Sequence, residues 1–284
     1  MMNSQQSLLV DGPRGWKIHG RYWPVAGARG TLLGVHGYSE HSGRYSHLAH
    51  YLNGQGLDVY WIDLPGHGLS EGARNNIDHF EDYIASLEHV FREAERLGAK
   101  PPFHLFGHSL GGLVSIRFME TSPLARQIRT LNLSGPLLGL YRFDPIRMSF
   151  LRFISDILPN FRLKNKKELS GPYLTRDQEI LADRAVDPLI NTHVTFHWFR
   201  EFGLARDRAF AELERIHVPV FIQLAGDERV VSSEAIQNFF DRLKSTQKKM
   251  IEYPDMRHEV FNEIGRERVF RDLIDWINSH QSSS

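Results

Sequence analysis

Phe103-His104-Leu105-Phe106-Gly107-His108-Ser109-Leu110-Gly111-Gly112-Leu113-Val114-Ser115-Ile116-Arg117-Phe118-Met119 is the stretch that decides the fold. The apolar run Phe103 to Phe106 reads as a buried strand, Gly107-His108-Ser109-Leu110-Gly111 is a G-x-S-x-G pattern, and Leu113 to Met119 reads as a helix. A strand that turns into a helix at a serine is strained. Small residues two before and two after the serine let the backbone fold tightly and lift the hydroxyl above the sheet. Gly112 adds room for the helix to approach the strand. The bare pattern is only moderately specific, and its strand, turn and helix setting is what makes it informative.

Working outward, short apolar runs followed by turn residues recur at Thr31 to Val35, Asp58 to Ile62, Thr130 to Leu133, Val218 to Leu224 and Lys249 to Tyr253. Runs of this kind are strands buried on both faces, which predicts a mostly parallel sheet. Between them Phe80, Tyr83, Ile84, Leu87, Val90, Phe91 and Ala94 recur at helical spacing, as do Ile236, Phe239, Phe240 and Leu243. Such helices cover the faces of the sheet, and the alternation is the α/β pattern. Leu8 to Val10 and Trp16 to Trp23, separated by Asp11-Gly12-Pro13, predict an antiparallel hairpin at the sheet edge.

The rhythm breaks between residues 137 and 217, where aromatic and amphipathic segments replace core strands. We read 1–136 and 218–284 as one core domain and 137–217 as a helical cap inserted into it. Apolar residues recur every three or four positions from Phe143 to Phe161, through Ile146, Phe150, Phe153, Ile154, Ile157 and Leu158. Residues 141–167 hold seven Arg and Lys against two Asp, a net +5. A basic amphipathic helix can contact a membrane surface transiently, while the plainer reading packs its apolar face on the domain below.

Composition narrows the function. The 284 residues carry 34 Lys and Arg against 34 Asp and Glu, which argues against a nucleic-acid binder with a broad basic footprint. No apolar run approaches the roughly 18 residues of a membrane span, and Met1 to Val10 lacks the charged-then-apolar order of a signal peptide. The expectation is a cytoplasmic protein, with peripheral membrane contact through the cap. Nothing in the pattern speaks to oligomeric state. With no cysteine, thiolate nucleophiles and Cys-ligated metals are excluded. Neither a P-loop nor a G-x-G-x-x-G occurs, and His67, His193 and His197 have no H-E-x-x-H or carboxylate partner in sequence, so no cofactor and no metal are expected.

A serine hydroxyl is a weak nucleophile and needs a base oriented by a third group. In folds with this turn the chain order is serine, acid, histidine. His258 follows the last predicted strand by a few residues, where a loop can carry its imidazole over the turn. The acid belongs just past Val218 to Leu224, where Asp227 and Glu228 stand side by side. Asp beside Gly226 equally suits a turn, and the residues alone leave the two even. His36-Gly37-Tyr38 follows another strand, and the Tyr38 N–H would pair with that of Leu110 as an oxyanion hole. His36 is read as a brace, and the Gly/Pro-rich loop Asp63 to Ser70 as a support for the site.

Beyond these residues, His36-Gly37-Tyr38-Ser39-Glu40-His41-Ser42-Gly43-Arg44-Tyr45 resembles the HGxxEHSGRY segment of the monoglyceride lipase and lysophospholipase branch of the α/β-hydrolases. Asp63 to Gly72 is similar to that branch's D-x-x-GHGxSEG loop. Leu174-Thr175-Arg176-Asp177 and Asp187-Pro188-Leu189 resemble its L-[ST]-R-D and D-P-L cap pattern, and only Phe143 to Lys167 matches weakly. The resemblance implies an α/β-hydrolase fold with a cap after the sixth strand. It also implies a serine hydrolase cleaving the ester of a single-chain lipid, a monoacylglycerol or a lysophospholipid, through an acyl-enzyme. Ser109 matches the nucleophile, His258 the base, and Tyr38 and Leu110 the oxyanion donors. Counted without gaps from Pro219, the family's usual Asp falls on Glu228, a departure that still favours Glu228 over Asp227. The competing readings are a carboxylesterase of small esters, an aminopeptidase using cap carboxylates, and a non-catalytic ligand-binding module on the same fold.

Overall fold

The structure is a computed structural model that describes residues 5–142, 154–155, 157–159, 161–164 and 171–281. Most of the predicted amphipathic stretch, including Phe143, Ile146, Phe150, Phe153, Lys166 and Lys167, lies outside the described residues.

Eight strands form one sheet: β1 (Gln6–Asp11), β2 (Lys17–Trp23), β3 (Thr31–Val35), β4 (Asp58–Ile62), β5 (Phe103–His108), β6 (Ile128–Ser134), β9 (Val220–Ala225) and β10 (Lys248–Tyr253). Their order is β1-β2-β4-β3-β5-β6-β9-β10. The β1–β2 and β2–β4 pairs are antiparallel and the rest are parallel. Every residue of β3, β4, β5 and β9 is buried, as strands covered on both faces require. Edge strand β1 instead buries Leu8 and Val10 and exposes their neighbours.

Successive side chains of a strand point to opposite faces, and the core divides accordingly. Leu33, Val35, Tyr60, Ile62 and Leu105 join one apolar cluster; Leu32, Val59, Trp61 and Phe106 join the other. Helices α2 (Glu81–Arg96), α3 (Leu110–Thr121) and α6 (Ser233–Arg242) cover the first face; α1 (Ser46–Gly54) and α7 (Glu267–Ser279) cover the second. The last two were not foreseen, although Val269, Phe270, Leu273, Ile274 and Ile277 carry a plain helical spacing.

Of the boundaries that differ from expectation, two have a plain physical reason. β9 begins at Val220 because Pro219 has no N–H to give the ladder, though its carbonyl still accepts from Leu131 N at 3.0 Å. The hairpin does not turn tightly at Asp11-Gly12-Pro13: a 3₁₀ turn over Pro13–Gly15 intervenes, with Arg14 at φ 58°.

No described residue of 137–217 enters the eight-stranded sheet. That segment supplies α4 (Gln178–Val186), α5 (Phe196–Ala211) and an antiparallel pair, β7 (Arg162–Lys164) with β8 (His193–Thr195), which the expectation of a purely helical insertion did not include. Trp198, Phe202, Ala205 and Ala209 of α5 share the apolar cluster of Leu113 and Ile116, so this part of the segment is continuous with the core.

The centre of the sheet has no spare room. A Cβ added at Gly34 in β3 would lie 2.4 Å from the Trp61 ring, which is itself stacked on Tyr45 with centroids 4.2 Å apart. Gly34→Ala is therefore expected to destabilise the fold by about 1–3 kcal/mol or more, read as a lower denaturant midpoint with an unchanged slope. An unshifted midpoint would contradict this packing.

Candidate active site

Ser109 sits between β5 and α3 with φ 50° and ψ −115°, a conformation a non-glycine residue adopts only when its surroundings enforce it. The enforcement is visible. Its N–H donates to Ser134 O at 2.9 Å, and its carbonyl accepts from Gly112 N and Leu137 N, both at 2.9 Å. The flanking glycines are needed for close approach. A Cβ at Gly107 would meet Gly111 O at 2.3 Å, and one at Gly111 would meet Val35 O at 2.2 Å.

His258, on the loop after β10, reaches the same place. Its Nδ1 lies 2.8 Å from Glu228 Oε2, and Glu228 Oε1 accepts from Val230 N at 2.8 Å and Val231 N at 3.1 Å. Both residues are buried. The carboxylate fixes the tautomer, with the proton on Nδ1 when the ring is neutral. His258 Nε2 is buried and has no hydrogen-bond partner among the described residues. Asp227 takes no part. Its carboxylate pairs with Arg229 Nε at 2.7 Å and Arg257 Nε at 3.5 Å on the surface, and its N–H donates to Met256 O.

Burial pushes the His258 imidazole down, but the Glu228 carboxylate at Nδ1, backed by Glu259 and Glu40, outweighs it and holds the group above the ordinary histidine value. Burial likewise raises Glu228, yet His258 and two backbone N–H donors leave it below the usual carboxylate range. His108, whose ring centroid is 4.8 Å from that of His258, is pushed down to about 4, chiefly by burial.

The loop after β3 brings Tyr38 to the site. His36 braces it as expected: Nε2 accepts from Leu64 N at 3.0 Å, which leaves Nδ1–H to donate to Gly37 O at 2.7 Å. The Tyr38 hydroxyl lies 2.8 Å from Asn75 O and 3.0 Å from His193 O. Neither the Tyr38 nor the Leu110 backbone N–H donates to another group among the described residues. Leu110 is the first residue of α3, where an N–H has no intrahelical acceptor. Asp63, in the supporting loop, is fully buried and accepts from Ser42 N at 2.8 Å and Leu69 N at 3.0 Å.

Sequence reasoning gave no role to Glu40, Arg44, Glu259 and Glu263. Arg44 donates to Glu40 at 2.7 Å and to both oxygens of Glu259 at 2.9 and 2.6 Å, tying the Tyr38 loop to the residue after His258. Glu263, fully buried, accepts from Arg257 N at 3.1 Å and Arg176 N at 3.0 Å, and so holds the His258 loop against the Leu174–Asp177 stretch. For Glu40 and Arg44 the signal was present only as motif letters without partners, and Glu259 and Glu263 fall in none of the quoted motifs. Gly37, Tyr38, Glu40, His108, Ser109, Leu174, Arg184, His258 and Glu259 together line one small cavity of about 20 Å³.

Residues 26–265 match the family model Hydrolase_4, described as serine aminopeptidase, S33. The phospholipase YtpA of Bacillus subtilis is 31% identical over 250 residues, covering 87% of this chain and 93% of that protein. A monoacylglycerol lipase of Mycolicibacterium smegmatis is 27% identical over 274 residues, 93% of each. Among solved structures, the monoacylglycerol lipase of Paleococcus ferrophilus superposes with a TM-score of 0.80 at 31% identity, over 93% of this chain and 99% of that one.

The pairing of His258 with Glu228 makes a direct expectation. Followed by NMR, the imidazole should titrate above 6.5, and Glu228→Gln should move its midpoint down, because burial persists while the carboxylate is gone. A midpoint that stays put would mean that Glu228 does not set the charge of His258.

Proposed function

The chain belongs to the Hydrolase_4 family, described as serine aminopeptidase, S33, and within it to the monoglyceride lipase branch of the α/β-hydrolases; on that premise we propose that Ser109, His258 and Glu228 form the catalytic triad of a lipid ester hydrolase. It is a carboxylic ester hydrolase, and its substrates are esters of small lipids. The observation that carries the assignment is that His258, buried against Glu228, lines the same cavity as the strained Ser109.

In this reading neutral His258 takes the Ser109 proton through Nε2 as the hydroxyl attacks the ester carbonyl. The N–H groups of Tyr38 and Leu110 hold the oxyanion, and Glu228 stabilises the imidazolium. The acyl C–O bond then breaks, His258 returns its proton to the leaving alcohol, and water repeats the sequence to release the fatty acid. No step calls on a cofactor.

Residues 137–217 act as a cap over a core of 1–136 and 218–284. Support comes from Leu174 and Arg184 in the cavity wall and from the 2.7 Å contact of His41 with Asp187. The acyl chain would lie against apolar cap residues, each buried methylene contributing roughly 0.8 kcal/mol. Ile157, Leu158 and Phe161 are more than half exposed beside Arg162, which supports a transient contact of this segment with a membrane surface. No helix among the described residues is long and apolar enough to cross a membrane. An aminopeptidase needs carboxylates free to hold an amine. Here Asp177 caps α4 and pairs with Arg266, Asp187 holds His41, and Glu40 and Glu259 are spent on Arg44.

Fatty-acid release from 1-palmitoylglycerol and from a palmitoyl lysophospholipid tests the reading. Ser109→Ala should abolish release, by roughly 10⁵- to 10⁶-fold in kcat. The acid limb of the wild-type kcat/KM profile should fall above pH 6.5, because only neutral His258 acts as base and its pKa is raised. Release that survives Ser109→Ala would remove the serine mechanism.

A further inference from the structure

Arg184 projects from α4 to the wall of the cavity that also holds Ser109, His258 and Glu259. Its situation differs from that of Arg44. The Arg44 guanidinium is spent on two carboxylates, and those carboxylates are in turn filled: Glu40 Oε1 also accepts from Gly37 N and from the Tyr45 hydroxyl, and Glu259 Oε2 from Asn262 Nδ2 at 3.0 Å. Arg184 donates through one terminal nitrogen to Ser39 O at 3.2 Å. Among the described residues no carboxylate lies within ion-pair distance of it. A guanidinium has five N–H donors, so one carbonyl leaves most of them for a ligand.

Resting on the ester-hydrolase reading above, we propose that Arg184 is a head-group subsite that takes the phosphodiester of a lysophospholipid whose acyl ester lies at Ser109, giving the enzyme a preference for a phosphate-bearing leaving group over uncharged glycerol. Two non-bridging oxygens sharing one negative charge match the planar fork of an arginine. The partly buried setting adds to the effect: burial, with a smaller push from Arg44, draws the Arg184 guanidinium down from its ordinary value although Glu259, Glu40 and Asp187 oppose it, and an anion in direct contact relieves what remains of that penalty. The glycerol carbons separate the phosphate from the ester, and Ser109 and Arg184, which line one cavity, would engage opposite ends of one head group. The chemistry is unchanged. The acyl C–O bond breaks, the glycerophosphodiester alcohol leaves with the proton of His258, and no bond to phosphorus is touched.

The test compares kcat/KM of the full chain on 1-palmitoyl-lysophosphatidylglycerol and on 1-palmitoylglycerol, dispersed in the same neutral detergent. Wild type is expected to favour the phosphodiester, and Arg184→Gln to lower the ratio of the two roughly 10- to 100-fold, the factor a lost charge-assisted hydrogen bond brings, mainly through KM. Arg184→Lys, which keeps the charge and loses the fork, should lower the ratio by less; it stands in if the Gln variant does not fold. Binding of the same two lipids to Ser109→Ala, with and without Arg184→Gln, reads the subsite without turnover. Equal losses on both lipids would make Arg184 only a counter-ion to Glu40 and Glu259 and overturn the subsite. A wild type that prefers 1-palmitoylglycerol overturns it too while leaving the ester-hydrolase reading intact, and release from neither lipid defeats that reading itself.

Discussion

The first turn of α3 runs so close to β3 and β5 that neither Gly107 nor Gly111 can carry a Cβ, and the whole site hangs from that approach. It forces the backbone to reverse at Ser109, which stores strain there and lifts the side chain off the sheet. The same approach sets Gly111 against the carbonyls of Val35 and His36, so the loop leaving β3 must pass beside the N-terminus of α3. The Tyr38 and Leu110 N–H groups, which donate to no other group among the described residues, belong to this loop and to the first residue of α3. The strain at Ser109 and the meeting of the β3 loop with the N-terminus of α3 are consequences of one steric fact.

A second layer is electrostatic. Burying charge is costly unless each charge is paired and its remaining hydrogen-bonding capacity is filled. Here Arg44 bridges Glu40 and Glu259, and Glu228 is shared between His258 and two backbone N–H groups. Because Arg44 belongs to the loop after β3 and Glu259 to the loop after β10, this network clamps the two halves of the site across the sheet. A buried network of this kind is weak evidence for stability, and its value here is positional. His108 illustrates the opposite outcome: buried, with Ser134 at its Nδ1 and no carboxylate hydrogen-bonded to the ring among the described residues, it is held well below the ordinary histidine value beside His258.

The inserted segment is held in two ways. Helix α5 is part of the main apolar cluster, whereas the stretch from Leu174 to His193 is tied down mainly by polar contacts: Thr175 to Asn262, Asp177 to Arg266, Asp187 to His41, and Asn75 to the carbonyl of His193. Several of these contacts fall on the loops that carry Tyr38 and His258. The described part of the segment therefore bears on the geometry of the site.

Much of this could be read along the chain. The strand, glycine, serine and helix sequence around Ser109, the buried strands and the helices with strong periodicity were legible, because local sterics and 2.0- or 3.6-residue repeats are written into neighbouring residues. Asp227 and Glu228 were not separable in that way, since adjacent carboxylates have the same local chemistry. Tertiary structure divides them: Arg229 and Arg257 hold Asp227 at the surface, while the N–H groups of Val230 and Val231 turn Glu228 inward to a histidine 30 residues on. The Arg44–Glu259 pair, 215 residues apart, and the packing of α1 and α7 on one face were equally hidden. By itself the chain specified which residues can make a strained turn or a covered strand; which charges meet was decided only by the order of strands in the sheet, because that order sets which loops converge.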